Sequence, residues 1–354
     1  MEKRKIDWAT ASFLIGYQIV VLICIPLYFW HHRPSAALIA ISASLLVVLG
    51  TSLSAGYHRY FSHKTYKAHP VIESFLLFLS PLLMQSSALR WSYDHRRHHA
   101  FVDTDKDPYS INKGFWYAHF TWMMFKQEEI DPKLVQDLLK NPRVRFQHRY
   151  IAPLMFGSNI AVGLIVGYLL NDYVGAFFMA VGLRLFLSHH MTWFINSLAH
   201  TWGDRPFCQE QTAVNNVICA LLTFGEGYHN YHHVFAKDYR NGVRWFHFDP
   251  TKWVIWLLSK VGLVSDLRRM DPLTIRKTLV LKRKGLLLEK ICLLSREHQD
   301  TLKKEVIQMS ERMLNTLSRI KDTPQLSASL KADWKKWRLL SRAILKSKPE
   351  LLRV

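Results

Sequence analysis

Eight of the chain's 18 histidines fall in three short motifs: His58-Arg-Tyr-Phe-Ser-His63, His95-Arg-Arg-His98-His99 and His229-Asn-Tyr-His232-His233. In a helix, the spacings of three and four in the second and third motifs put their imidazoles on one face, where ring nitrogens can converge on a pair of ions. The spacing of five in the first motif suits a helix end. A single buried histidine is usually a hydrogen-bonded core residue, but two triplets of identical spacing plus a pair do not fit that reading as a set. Eight imidazoles also exceed what one metal can hold. Imidazole suits iron, zinc, copper or nickel, so ligand type alone does not choose the metal. The H-E-x-x-H signature of zinc proteases is absent, and a structural zinc site closes with four ligands. Two redox irons that activate dioxygen are the best account of what remains. Such a centre can break an unactivated methylene C–H bond, which acid–base or nucleophilic catalysis cannot.

The elements that must position these histidines are long apolar helices. Residues 12–30 and 36–56 each reach about the 20 residues that cross a hydrocarbon core, and 151–170 and 173–195 form a second pair. Lys and Arg are dense before the first span, through 57–150 and after 196, while the two short turns carry only Arg33. Both termini and all three motifs are therefore expected on the cytoplasmic side. The apolar stretches 71–89 and 213–224 would separate the motifs if they crossed, so they are read as interfacial or re-entrant. The expectation is an all-α integral membrane protein: four transmembrane helices and a cytoplasmic helical cap holding a histidine-rich dimetal site. Residues 1–270 form the membrane domain. Residues 271–354, with twenty Lys and Arg against nine Asp and Glu, form a basic amphipathic helical extension with apolar positions such as Leu287, Ile291 and Leu294.

The formal charge of +20 comes with no nucleic-acid-binding motif, and 49% of residues are hydrophobic and concentrated in long stretches. A membrane surface, not nucleic acid, is the partner this implies. Four cysteines without a C-x-x-C pair suggest neither a disulfide framework nor a thiolate metal site. The basic MEKRKIDW start reads as part of a retained first helix, because no small-residue cleavage site follows it.

The surroundings of the motifs are HRYFSHKTYKAH, WSYDHRRHHAFVDTDKDPY, WFINSLAHTWGDRPF and GEGYHNYHHVFAKDYR. Over roughly residues 10–270 they resemble the membrane fatty acid desaturases, specifically the stearoyl-CoA (acyl-CoA delta-9) group; beyond 270 there is no resemblance. The resemblance implies His200, in Asn196-Ser-Leu-Ala-His200, as a ninth ligand. It implies one iron served by His58, His63, His95, His99 and His232 and another by His98, His200, His229 and His233, with Asn196 nearby through water. It also implies Gln85, Trp91, Thr192 and Trp193 at the bend of a substrate tunnel. Gly50, deep in the second span, either leaves room for the chain's methyl end or serves ordinary helix packing. His189, His190 and His119 match no family ligand and read as hydrogen-bonding residues.

The implied activity uses O2 and two electrons to insert a cis double bond into a long saturated acyl chain, with no catalytic residue beyond the metal ligands. The carrier is coenzyme A, or a lipid in the alternative. A His-Pro-Gly-Gly haem motif is absent, so electrons are expected from a separate cytochrome b5-like or ferredoxin-like donor. A membrane hydroxylase or ketolase of the same superfamily is the alternative enzyme, although H-x-x-x-x-H and N-S-L-A-H favour a desaturase. A metal transporter would need charges lining its spans, where only Arg184 lies away from the ends. The expected location is a bacterial inner membrane rather than the endoplasmic reticulum.

Overall fold

The computed structural model describes residues 5–294, 296–319 and 328–347. Its contacts divide it into two units: Met1–Asp204 with Gln211–Arg269, and Arg205–Glu210 with Met270–Val354.

Among the described residues, four helices are long and apolar enough to cross a membrane: α1 (Trp8–His31), α2 (Ala36–Ser62), Ile151–Leu170 and Tyr173–His200. Their starts follow local chemistry. Asp7 caps α1 and Ser35 caps α2, each accepting from a backbone N–H three residues on. The outward faces of these helices remain apolar, as Ile19, Leu22, Leu27 and Val47 show, which fits lipid rather than water. α2 runs past the expected residue 56 because its last stretch, Ser54–Ser62, winds as a π-helix. That winding repeats every five residues in hydrogen bonding, and His63 N–H donates to the His58 carbonyl at 3.2 Å. The H-x-x-x-x-H spacing thereby brings both imidazoles to one side.

After α2 come α3 (Pro70–Leu83) and α4 (Ala88–Phe101), bent by 84° at the break between them. Met84 and Ser86 adopt left-handed backbone there, and Ser87 then caps α4 by accepting from Arg90 N–H. Two short helices, Pro132–Leu139 and Pro142–Arg149, lead into α5 (Ile151–Leu170). Asn171, left-handed, and Asp172, which accepts from Gly175 N–H, make the tight turn into α6 (Tyr173–His200). The end of this helix, like that of α2, reaches further than expected and carries His200. The stretch 213–224 contains only the six-residue helix Val217–Leu222, too short to cross a bilayer. α7 (His229–Val234) carries the third motif, and α8 (Pro250–Lys260) follows. Lys67–Ala68 pairs antiparallel with Val264–Ser265 as a two-residue ladder.

The second unit is built from three helices, α9 (Pro272–Cys292), α10 (Arg296–Arg319) and α11 (Ala328–Lys346). Their apolar stripes pack on one another around Val280, Leu287, Ile291, Val306, Met313, Leu317, Trp337 and Ile344. The amphipathic pattern of this tail is thus consumed by its own core, and among its charged residues Asp333 is buried.

Candidate metal centre

Four elements deliver nine imidazoles to two points. His58, His63, His95, His99 and His232 form one group and His98, His200, His229 and His233 the other, each with its ligand atoms within 4.8 Å of one another. This division coincides with the one the resemblance implies. The two triplets explain it. On α4, His95 and His99 are one turn apart and serve the first group, while His98 turns to the second. On α7 the roles reverse: His229 and His233 serve the second group and His232 the first.

The Nε2 atoms face one another directly: His63 and His95 at 2.8 Å, His58 and His232 at 3.0 Å, His229 and His200 at 3.1 Å, and His98 and His233 at 3.3 Å. Their Nδ1 partners fix the tautomers. His98 Nδ1 donates to Asp107 at 3.0 Å, and His58 Nδ1 lies 2.8 Å from the Glu226 carboxylate, whose charge favours the proton on that nitrogen. His200 Nδ1 lies 2.7 Å from Thr212 Oγ1, which gives its own hydrogen to Asp103 at 2.5 Å and must therefore accept from the ring. In these three rings Nε2 is the nitrogen turned toward the other imidazoles. Nine ring nitrogens converging at about 3 Å in two buried groups form a donor set that fits two metal ions. Burial, followed by the neighbouring imidazoles, holds His95, His99, His229, His232 and His233 well below the ordinary histidine range, which keeps them neutral donors.

Behind the first group lies a buried charge chain. Arg59, 1% exposed, donates to Glu226 at 3.0 Å, to Asp249 at 2.9 Å and to the Tyr239 carbonyl at 2.7 Å. Ser54 also donates to Glu226. Burial pushes the Glu226 carboxyl up, but His58 and Arg59 outweigh it and leave the group at about 2. The sequence reading assigned no role to Glu226, Asp107, Asp103 or Thr212. A signal was present for three of them: the carboxylates stand inside the motif surroundings, three residues before His229 and shortly after His99.

A cavity of about 620 Å³ reaches the first group, with His58, His95 and Asn196 in its wall. Gln85, Trp91, Thr192, Trp193 and Gly50 all line it. Gln85 donates to Thr192 Oγ1 at 3.0 Å, and Trp91 stacks on His95 with ring centres 4.9 Å apart. At Gly50 a Cβ would fall 2.0 Å from the Phe224 ring, so this glycine permits close packing there while also standing in the cavity wall. His189 and His190 stay outside both groups. His189 bonds Tyr17 and the Leu83 carbonyl, and His190 bonds Gln18 and His119, whose other nitrogen meets Ser197. Arg184, buried in its span, donates to the Leu82 and Ala180 carbonyls and to Asn159.

Comparison with known proteins agrees with this geometry. A family model described as fatty acid desaturase matches residues 34–261. The chain is 44% identical over 241 residues to "Probable acyl-CoA desaturase" of Schizosaccharomyces pombe, covering 67% of this chain and 50% of that one. It is 38% identical over 274 residues to "Acyl-CoA desaturase 1" of Saccharomyces cerevisiae, covering 74% and 53%. It is 31% identical over 275 residues to "sn-1 stearoyl-lipid 9-desaturase" of Anabaena variabilis, covering 76% and 96%. The chain thus spans about half the length of the two yeast relatives. The matched region holds three of the four spans and all nine facing imidazoles, from His58 to His233, and the chain belongs to the fatty acid desaturase family.

Proposed function

We propose that the chain is an oxygen-dependent acyl-CoA delta-9 desaturase, with two irons held by the nine histidines. The observation that carries this reading is the cavity that leads to His58, His95 and Asn196 with Trp91 and Trp193 in its wall. Iron bound there would supply the redox chemistry that, with O2, two electrons and two protons, turns two adjacent methylenes into an alkene and releases two waters. The chain's own residues do the rest. Each methylene withdrawn from water contributes about 0.8 kcal/mol, so a long acyl chain binds through the apolar wall. The Gln85–Thr192 hydrogen bond braces that wall, and Trp91 against His95 fixes where a carbon can approach the centre. Glu226, Asp107 and Thr212 orient His58, His98 and His200 and hold the proton on Nδ1.

Names of relatives support the substrate class: the two yeast proteins are called acyl-CoA desaturases. A lipid-linked acyl chain is the second reading, favoured by the Anabaena variabilis protein, which the chain matches over nearly its whole length. Both termini face the cytoplasm in this reading, and a separate cytochrome b5-like or ferredoxin-like protein supplies the electrons. The relatives come from yeasts, animals and Anabaena variabilis, so they give no ground for a bacterial inner membrane over the endoplasmic reticulum.

The test is to give membranes containing the protein deuterated stearoyl-CoA and a reducing system, then locate the product's double bond by mass spectrometry. A delta-9 monoene that vanishes in His98→Ala is the expected result. A hydroxylated chain would overturn the desaturase reading, and a product formed only from stearoyl-lipid would move the carrier to lipid.

A further inference from the structure

Outside the metal cap, one segment shows apolar side chains on a scaffold too ordered to be incidental. Lys252, buried on α8, sends its three N–H groups to the carbonyls of Gly242, Arg244 and His247 at 2.6, 2.7 and 3.0 Å. An ammonium has three donors, so the loop 242–247 is tied to the helix by the full set. What the tied loop presents is Trp245, 86% exposed, and Phe246, 56% exposed. On α8 itself Ile255 is buried in the core cluster that includes Leu49 and Leu53 of α2. The opposite side shows Trp253, Trp256 and Leu257, at helical spacings of three and four, with Val261 just beyond.

We infer that α8 and the loop 242–247 form a membrane-seated platform, with these aromatic and aliphatic side chains immersed among phospholipid headgroups and upper acyl chains. Position supports this occupant. α8 packs on α2, one of the four spans, and Val47 and Val48 on α2 are themselves exposed, so the patch adjoins surface that faces lipid. Charge supports it too. Lys260 lies over the Trp256 ring at 5.2 Å and Arg244 over Phe246 at 5.7 Å, which puts cations at the rim where lipid phosphates lie. Left in water, so large an apolar patch is unfavourable at about 25 cal/mol per Å². The platform is also wired inward. Asp249 caps α8 by accepting from Lys252 N–H at 3.0 Å and accepts from Arg59, which holds the Glu226 that orients His58.

The test uses the full chain in phosphatidylcholine–phosphatidylserine nanodiscs, with Cys24, Cys208, Cys219 and Cys292 replaced and one spin label placed at Leu257→Cys. Power saturation then compares collisions with O2, which partitions into lipid, against a water-soluble nickel chelate. The platform predicts O2 collisions well above nickel at this site, and the same at Trp245→Cys. Nickel exceeding O2 at Leu257→Cys overturns it, as does a face that stays wet for a soluble protein partner. Bound metal is measured in each sample to show that the fold is intact; if a label at Leu257 lowers it, Trp253→Cys reads the same face.

Discussion

The metal cap and the C-terminal unit bury opposite things. Around the histidines the interior holds Arg59, Glu226, Asp107, Asp238 and Asp249 beside the imidazoles. In α9–α11 the interior is nearly all aliphatic and aromatic, with Ser310, Ser341 and Asp333, which pairs with the exposed Arg312, as the polar exceptions. Buried polar groups are costly unless every partner is in place, so the cap spends stability on specific geometry. The C-terminal unit gains stability and holds no cluster of candidate ligands among its described residues. Changes in the cap should therefore appear as lost metal, and changes in the bundle as lost stability.

The largest effect is expected for His98→Ala, which removes a ligand of the four-histidine group: bound metal, read by elemental analysis, and product should both fall to background. Glu226→Gln keeps the shape but loses the charge that holds His58 and Arg59. It should weaken metal binding roughly 10–100-fold in a chelator competition. Retained affinity would mean that the buried carboxylate chain is only structural. Leu287→Ala, fully buried in the bundle, should cost about 2–5 kcal/mol of the unit's stability in denaturant unfolding while leaving metal content unchanged. Metal lost together with that stability would erase the contrast between the two regions.

Acid should act on the cap through the buried imidazoles. His95, His99 and His232 have folded pKa values pushed well below 6.5, by burial first and neighbouring imidazoles second. The unfolded chain then takes up protons first, so their contribution is complete above pH 6.5 and declines as pH falls below it. Thermal unfolding of metal-stripped protein should show that slope, and the isolated contribution vanishes if all three are replaced. The smallest effect is expected at the bundle's surface, where Lys282→Ala removes the exposed pair with Glu210, at 2.6 Å. A change of at most about 1 kcal/mol is expected in the same unfolding assay.

Much of the cap was legible because ligand chemistry constrains residue type and spacing together. His95, His98 and His99 and their mirror, His229, His232 and His233, announce two points on one helix face each. The end of α2 was partly legible: the five-residue spacing suggested a helix end, and the motif does end the helix, with His63 as the C-cap of a π-helical last stretch that spacing alone does not specify. Glu226, Asp107 and Asp103 were in view but looked like any acidic residue, since only the fold reveals which carboxylate meets which Nδ1. Gly50 carried two readings that sequence cannot separate, and the fold sets it both against the Phe224 ring, 174 positions away in chain order, and in the cavity wall. In the tail the apolar periodicity was plain, yet a stripe does not say whether it meets lipid, another protein or its own neighbours; α9–α11 use it on one another.

The central claim is that one chain holds two irons through two separate imidazole groups. Its most direct test is iron and zinc per chain in purified protein, read by elemental analysis together with Mössbauer spectroscopy of an iron-57-enriched sample. The account predicts two irons per chain with nitrogen-rich coordination, lost on His98→Ala. One metal per chain, or zinc in place of iron, would contradict it.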